Sequence, residues 1–158
     1  MSAPLVWRWT RFDGLTVREL QAIHRARQEV FVVEQDCVYL DADAWDESAF
    51  HLAAWSDRHP VPLAYARWLD PGVKYLEPSL GRVLTTAAAR GGGLGRELVR
   101  RVLEAGMRVH PGLGVRISAQ SRLERFYAGY GFEIAGERYL EDGIEHTEML
   151  LHPPDPAE

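Results

Sequence analysis

The stretch Arg90-Gly91-Gly92-Gly93-Leu94-Gly95 holds residue types that bind phosphate when they are placed correctly. Before it, Gly81-Arg82-Val83-Leu84-Thr85-Thr86 reads as a β-strand. After it, Leu94, Leu98, Val102, Ala105 and Val109 share one face of a helix. A strand, a glycine-rich turn and a helix N-terminus, in that order, make an anion site. The first N–H groups of a helix lack intrahelical partners, and the helix dipole favours negative charge beside them. Glycines let the backbone approach the anion closely. One charge–dipole contact contributes only about 0.3–1 kcal/mol, so several donors must converge. Two phosphate loops fail on their own patterns. A P-loop requires a Lys after its last glycine, and the sole lysine here is Lys74. The dinucleotide fingerprint G-x-G-x-x-G breaks at Leu98 counted from Gly93, and at Arg96 counted from Gly91.

The pattern that does fit is Gln/Arg-x-x-Gly-x-Gly/Ala, met by Arg90 through Gly95. A second segment follows the strand Val115-Arg116-Ile117-Ser118: Ala119-Gln120-Ser121-Arg122-Leu123-Glu124-Arg125-Phe126-Tyr127, ending in Gly131-Phe132. In order and position the two resemble the acyl-CoA loop and the downstream Tyr-bearing segment of the GCN5-related N-acetyltransferases (GNAT). Arg27-Gln28-Glu29-Val30-Phe31-Val32-Val33-Glu34-Gln35, with Cys37, Tyr39, Asp41, Asp43 and Asp46, looks like the ElaA branch of that superfamily. So do His51-Leu52, Ala64-Tyr65-Ala66-Arg67, and Glu141-Asp142-Gly143-Ile144-Glu145-His146, so the likeness covers nearly the whole chain. Two positions depart from the superfamily: Ala87 stands where a proline is frequent, and Gln120 where an asparagine is usual.

The resemblance implies transfer of an acetyl group from acetyl-CoA to a primary amine of a small molecule or protein. It implies that Arg90 and the backbone of Gly91, Gly92, Gly93, Leu94, Gly95 and Arg96 cradle the pyrophosphate. Val83, Leu84 and Thr85 would pair with the pantetheine amides as a neighbouring strand does, with one N–H facing the thioester oxygen. Such an oxyanion contact is worth about 3–4 kcal/mol. Gln120 and Phe126 would also lie against the coenzyme. Tyr127 is the expected proton donor to the leaving thiolate, since a phenol near pKa 10 stays protonated where a thiol of about 8.5 begins to ionise. Glu34, Asp46, His51 and His146 are candidates for deprotonating the amine, with proton loss to water as the alternative. The Arg-x-x-Val-Phe pattern at Arg27, Val30 and Phe31 also resembles the acyl-homoserine-lactone synthases. A longer-chain acyltransferase is therefore one alternative, and an acyl-CoA-binding module without catalysis is another.

These residues need elements to hold them. Thr16-Val17-Arg18-Glu19 is a capping box, and Leu20, Ile23, Val30 and Phe31 continue its helix. Arg27 falls on that apolar stripe, and a buried charge must be paired. Its partners are expected among Glu34, Asp36, Asp41, Asp43, Asp46 and Glu47, with Arg67 as a second cation for the same acids. The acidic loop is either that structural pairing or a docking surface for a cationic amine. Strands are expected at 6–10, 50–55, 62–68, 81–86, 115–118, 132–134 and 146–151, with a hairpin turn at 56–60 and a turn at 141–143. His110-Pro111-Gly112 stops the long helix, and Ser121 to Glu124 reads as a second capping box. The order predicts an α/β (α+β layered) domain over 1–152. The GNAT fold it resembles has a mixed, mostly antiparallel sheet of six or seven strands, about four helices, and the acyl-CoA between the splayed fourth and fifth strands. Residues 153–158 are a polar, proline-rich tail expected to fray.

Composition sets the remaining bounds. Hydrophobic residues make up 46% and charged residues 26%, the balance of an ordinary globule. A net charge of −5 gives no electrostatic support for nucleic-acid binding. The single cysteine, Cys37, forms no internal disulfide and no zinc-ligand spacing occurs, so no metal is expected. No apolar run approaches a membrane span and no signal-peptide pattern opens the chain, so the expected setting is cytoplasmic. A homodimer is compatible with the sequence.

Overall fold

The structure is a computed structural model and describes residues 4–155. In chain order it comprises β1 (Val6–Arg11), α1 (Val17–Arg27), β2 (Phe50–Trp55), β3 (Ala64–Leu69), β4 (Ser79–Thr85) and α2 (Leu94–Val109). There follow β5 (Val115–Gln120), α3 (Glu124–Ala128), β6 (Glu133–Ile134), β7 (Tyr139–Glu141) and β8 (Ile144–Leu151). Strands β1 to β4 form one antiparallel sheet in sequence order. The second sheet runs β5-β8-β6, with β7 also paired to β8. The α/β layering agrees with the expected class, but the strands divide into two sheets of four, and the described residues hold three α-helices. The division has one cause. β4 and β5 meet where they begin, the Arg116 N–H donating to the Pro78 carbonyl at 3.1 Å, and pair no further.

The capping box at α1 forms as its residues dictate. Thr16 Oγ1 accepts from the Glu19 N–H at 3.0 Å, and Glu19 Oε1 accepts from the Thr16 N–H at 2.9 Å. From Gln28 to Glu34 the helix widens to a π-helix, with the Gln35 N–H reaching the Val30 carbonyl. A π turn takes one more residue than an α turn, and such segments concentrate at functional sites. Here it keeps Arg27, Val30 and Phe31 all buried against Tyr65 and Leu84 of the first sheet.

Helix α2 buries Leu98, Val99, Val102 and Leu103 on the opposite face of that sheet, against Leu52, Ala54, Ala66 and Trp68. Strand β3 is therefore covered on both sides, which explains why its sequence does not alternate. Each fully buried large aliphatic side chain in these layers contributes about 1.5–3 kcal/mol. Gly106 lets α2 lie directly on the Trp68 ring, which a Cβ would overlap. Helix α2 ends at Val109, its last turn closed by the His110 N–H on the Gly106 carbonyl.

One local expectation fails and another is incomplete. No side-chain cap forms at Ser121, because its hydroxyl bonds Thr147 Oγ1 at 2.7 Å while Glu124 takes Thr147 and Arg138. Helix α3 accordingly starts at Glu124. The turn at 141–143 is the tip of a β-hairpin: Asp142 and Gly143 have φ of +50° and +78°, and Tyr139–Glu141 pair with Ile144–His146 as an unexpected strand. Residues 153–155 carry no secondary structure, and 156–158 lie outside the described residues.

Candidate active site

Because β4 and β5 separate, a cleft of about 1030 Å³ opens between them. The π-helix, the turn after it and the β7–β8 hairpin also line it, the turn meeting the hairpin tip where Cys37 Sγ lies 3.2 Å from the Asp142 carbonyl. Along β4, Gly81 pairs with Arg67 and Leu84 with Tyr65, so Arg82 and Val83 together oppose Ala66. This is a β-bulge, with Arg82 at φ +48°. A bulge takes its extra residue out of the ladder and re-aims the chain, here at the cleft. Val83, Leu84 and Thr85 line that stretch.

Where β4 ends, the glycine loop begins. Gly91 and Gly93 have φ of +95° and +81°, a region that other residues enter only at a cost. Gly93 is the N-cap of α2, with no side chain occupying the helix end. A Cβ at Gly91, Gly92 or Gly93 would meet nothing within 4 Å. The loop is thus an open shelf of backbone donors at the head of a 16-residue helix. Leu94 turns into the core and contributes backbone only. The Arg90 guanidinium donates to the Thr85 carbonyl at 2.8 Å and to Glu34 at 2.7 Å, strapping the loop to β4 and to the π-helix. Tyr130 steadies the far side by donating to the Arg96 carbonyl at 2.8 Å. A diphosphate fits this shelf.

Tyr127 lines the cleft and is only 6% exposed. Burial, with Tyr130 beside it and Arg122 opposing, pushes its phenol above the ordinary tyrosine value, so the proton is retained at neutral pH. Phe126 packs edge-to-face on Tyr127, ring centroids 5.1 Å apart, but does not line the cleft, against the expectation that it lies on the coenzyme. It lines a second hollow of about 680 Å³ between α2 and α3, with Arg96, Arg100, Arg125 and Tyr130. Gln120 reaches Gln35 at 3.1 Å and so bridges the end of β5 to the π-helix.

The remaining candidates divide into two groups. Asp46 and Arg67 belong to a buried ion network. Arg27 donates to Asp41 and Asp46, each at 2.8 Å, and to the Asp41 carbonyl at 2.8 Å. Arg67 donates to Asp43 at 2.6 Å and Asp46 at 2.9 Å, and Arg82 lies 2.9 Å from Asp41. Burial alone would raise the Asp46 carboxyl, but Arg27 and Arg67 override it and hold the pKa at about 2. His51 is also sealed in, its Nδ1 2.6 Å from the Tyr65 hydroxyl and its Nε2 2.9 Å from the Asp46 carbonyl. Neither Asp46 nor His51 lines the cleft, whereas Arg67 does. The placement of Asp46 and His51 behind the cleft wall is that of structural residues.

Glu34 and His146 do line the cleft. Glu34 is engaged by Arg90. His146 Nδ1 lies 2.7 Å from the Ile144 carbonyl, which can only accept, so Nδ1 carries the hydrogen. In the neutral ring Nε2 then holds the lone pair, with Glu141 3.5 Å away. Sequence reasoning missed Lys74, Glu141 and Gln35 as cleft residues. Lys74 had one available signal, being the sole lysine in the chain. The described residues contain no cluster of His, Cys, Asp or Glu able to hold a metal ion, and no helix long and apolar enough to cross a membrane.

Splayed strands, a bulge at the cleft and a glycine loop capping a helix together define an acyl-CoA-dependent acyltransferase fold. Comparison with known proteins agrees. The acetyltransferase (GNAT) domain signature matches residues 19–152. ElaA of Escherichia coli is 36% identical over 145 residues, covering 90% of this chain and 94% of its own. A UPF0039 protein of Synechocystis is 43% identical over 148 residues, covering 94% and 96%. Among solved structures, an acyl-CoA N-acyltransferase from Pseudomonas aeruginosa superposes with a TM-score of 0.88 at 42% identity, over 93% of this chain and 99% of that one. E. coli ElaA superposes with a TM-score of 0.85 at 34% identity, again over 93% and 99%. The chain belongs to the GNAT superfamily, on its ElaA-like branch. An acyl-homoserine-lactone synthase shares the fold, with a TM-score of 0.76, at only 15% identity.

Proposed function

We propose that this protein moves an acetyl group from acetyl-CoA to a primary amine, in a cytoplasmic setting. The observation that carries the reading is the cleft itself, which runs past the bulge at Arg82 and Val83 to Arg90, where the glycine loop begins, with a buried tyrosine on its wall. Bound acetyl-CoA supplies an activated acyl group. The N–H groups of Gly91 to Arg96 hold its diphosphate, and Val83 to Thr85 offer it a strand edge. A backbone N–H at the bulge faces the carbonyl oxygen and stabilises charge developing there. His146 Nε2 takes a proton from the amine nitrogen as that nitrogen bonds the acyl carbon. Tyr127 gives its hydroxyl proton to sulfur as the carbon–sulfur bond breaks. Burial keeps the phenol protonated until the thiolate leaves, and the same apolar surroundings disfavour a naked thiolate.

The test begins with thermal shift in CoA and acetyl-CoA, followed by thiol release across a panel of amines. Ligand at about 100 times its dissociation constant stabilises by about 2.7 kcal/mol. Tyr127→Phe should lower kcat by about 100-fold while acetyl-CoA affinity holds. No shift with either form of the coenzyme refutes the reading. Running acetyl-CoA beside longer acyl-CoAs decides the chain length.

A further inference from the structure

The network of Arg27, Arg67 and Arg82 with Asp41, Asp43 and Asp46 pairs three cations with three carboxylates. One edge of it is incomplete. Both acid contacts of Arg67 are made by Nη1. Its buried Nε has no hydrogen-bond partner, although the side chain is only 4% exposed. The Nε–Nη2 edge is the fork that holds a carboxylate through two parallel bonds. An unpaired N–H on a buried charge is expensive, and because this Nε is closed to solvent as the side chain stands, a ligand group would satisfy it as the guanidinium turns its edge to the cleft. Arg67 lines the cleft, and its Cζ lies 6.0 Å from the ring of Trp45, another lining residue.

Position along β4 says which end of the cleft this is. Arg67 pairs with Gly81, on the side of the bulge away from Thr85 and the glycine loop. A coenzyme laid from the bulge to the loop leaves the Arg67 end to the acceptor. Lys74 lines that same cleft and makes no ion pair among the described residues. Burial lowers its ammonium pKa, with Glu141 and Asp43 opposing and Arg67 and Arg82 adding to the fall, so a ligand carboxylate beside it would restore the charged form. Glu141 and His146 provide the groups that suit an amine.

We propose that the acceptor is a small amino-carboxylate, its carboxylate taken by the free fork of Arg67 with Lys74 beside it, and its amine presented towards His146. This rests on the acyl-transfer reading above and narrows it. A lysine side chain of a protein, or a polyamine, lacks the anion this end of the cleft is built to receive.

The test uses free amino acids, each paired with its own carboxamide, with acetyl-CoA and thiol release as the readout. At least one amino acid should exceed its amide by tenfold or more in kcat/KM. In Lys74→Gln that ratio should fall towards one, mainly through KM. Arg67→Lys keeps a cation for Asp43 and Asp46 but loses the fork, and should show the same loss. Its fold is checked by circular dichroism, and Lys74→Gln carries the test alone if Arg67→Lys does not fold. Amides used as well as acids, a preference that survives Lys74→Gln, or no turnover of any carboxylate-bearing amine overturns the inference. Acetyl-CoA binding, followed separately, reports on the acyl-transfer reading itself.

Discussion

Arg27→Met asks whether the buried network is structural. The guanidinium is fully buried and makes three hydrogen bonds of 2.8 Å, to both Asp41 and Asp46 and to the Asp41 carbonyl. Removing one partner from a buried ion pair costs about 3–5 kcal/mol, since the charge left behind is uncompensated. Here compensation is partial. Asp46 keeps Arg67, while Asp41 keeps Arg82 and the Tyr39 hydroxyl at 3.0 Å. The lower end, about 3 kcal/mol, is therefore expected. With a urea m-value of about 2 kcal/mol/M, the midpoint should fall by about 1.5 M. Adding Asp41→Asn removes one of the stranded charges, so the double variant should be less destabilised than the two singles summed, by about 1 kcal/mol or more. The assay is equilibrium urea unfolding followed by tryptophan fluorescence, with KM for acetyl-CoA measured in parallel. A midpoint drop below about 0.5 M, accompanied by a raised KM, would mean that Arg27 serves ligand binding and that the structural reasoning is wrong.

Gly93→Ala forces a side chain into the left-handed region at the α2 N-cap, costing about 1–2 kcal/mol. CoA affinity, read by calorimetry, should fall at least tenfold, and unchanged affinity would remove the loop from the diphosphate site. Gly106→Ala drives a methyl into the Trp68 ring and should cost about 1–3 kcal/mol, lowering Tm by roughly 3–9 °C; an unchanged Tm would contradict the helix placement. Acid should destabilise in two stages. Burial pushes the His51 ring below its usual 6.5, although Asp46 pulls it up, and Asp46 sits at about 2 against an ordinary 3.8. Both folded values lie below the unfolded ones, so each contribution is present above the unfolded pKa and is lost as pH falls. The urea midpoint should decline below pH 6.5 for His51 and again between about 4 and 2 for Asp46; a midpoint that is flat or rising from pH 7 to 5 would exclude the His51 assignment.

The sequence made the Arg27 pairing legible because a charge on an apolar helix stripe can have few explanations. The partners Asp41 and Asp46 lie 14 and 19 residues away, within the loop that the same reasoning singled out. The glycine loop and Tyr127 were readable because their spacing is local. What was not readable depends on chain reversal and strand register. Whether Asp46 and His51 face the cleft or sit behind its wall is decided by the fold of the 35–50 loop, not by their neighbours in sequence. The bulge at Arg82 and Val83 exists only relative to Ala66. Tyr139–Glu141 is too short for periodicity to register, and the Asp-Gly turn beside it was the only local clue. Ser121 looked like a helix cap until Thr147, from a distant strand, claimed its hydroxyl.

The chain uses 17 arginines and one lysine, and that lysine lines the cleft. Guanidinium groups stay protonated at working pH and do not attack reagents that target primary amines. An amine-directed dye or crosslinker therefore has one side-chain target, placed where the acceptor is proposed to bind. Labelling at Lys74 can serve as an occupancy gauge: reagent should be excluded when the cleft is filled and admitted when it empties, without any engineered handle.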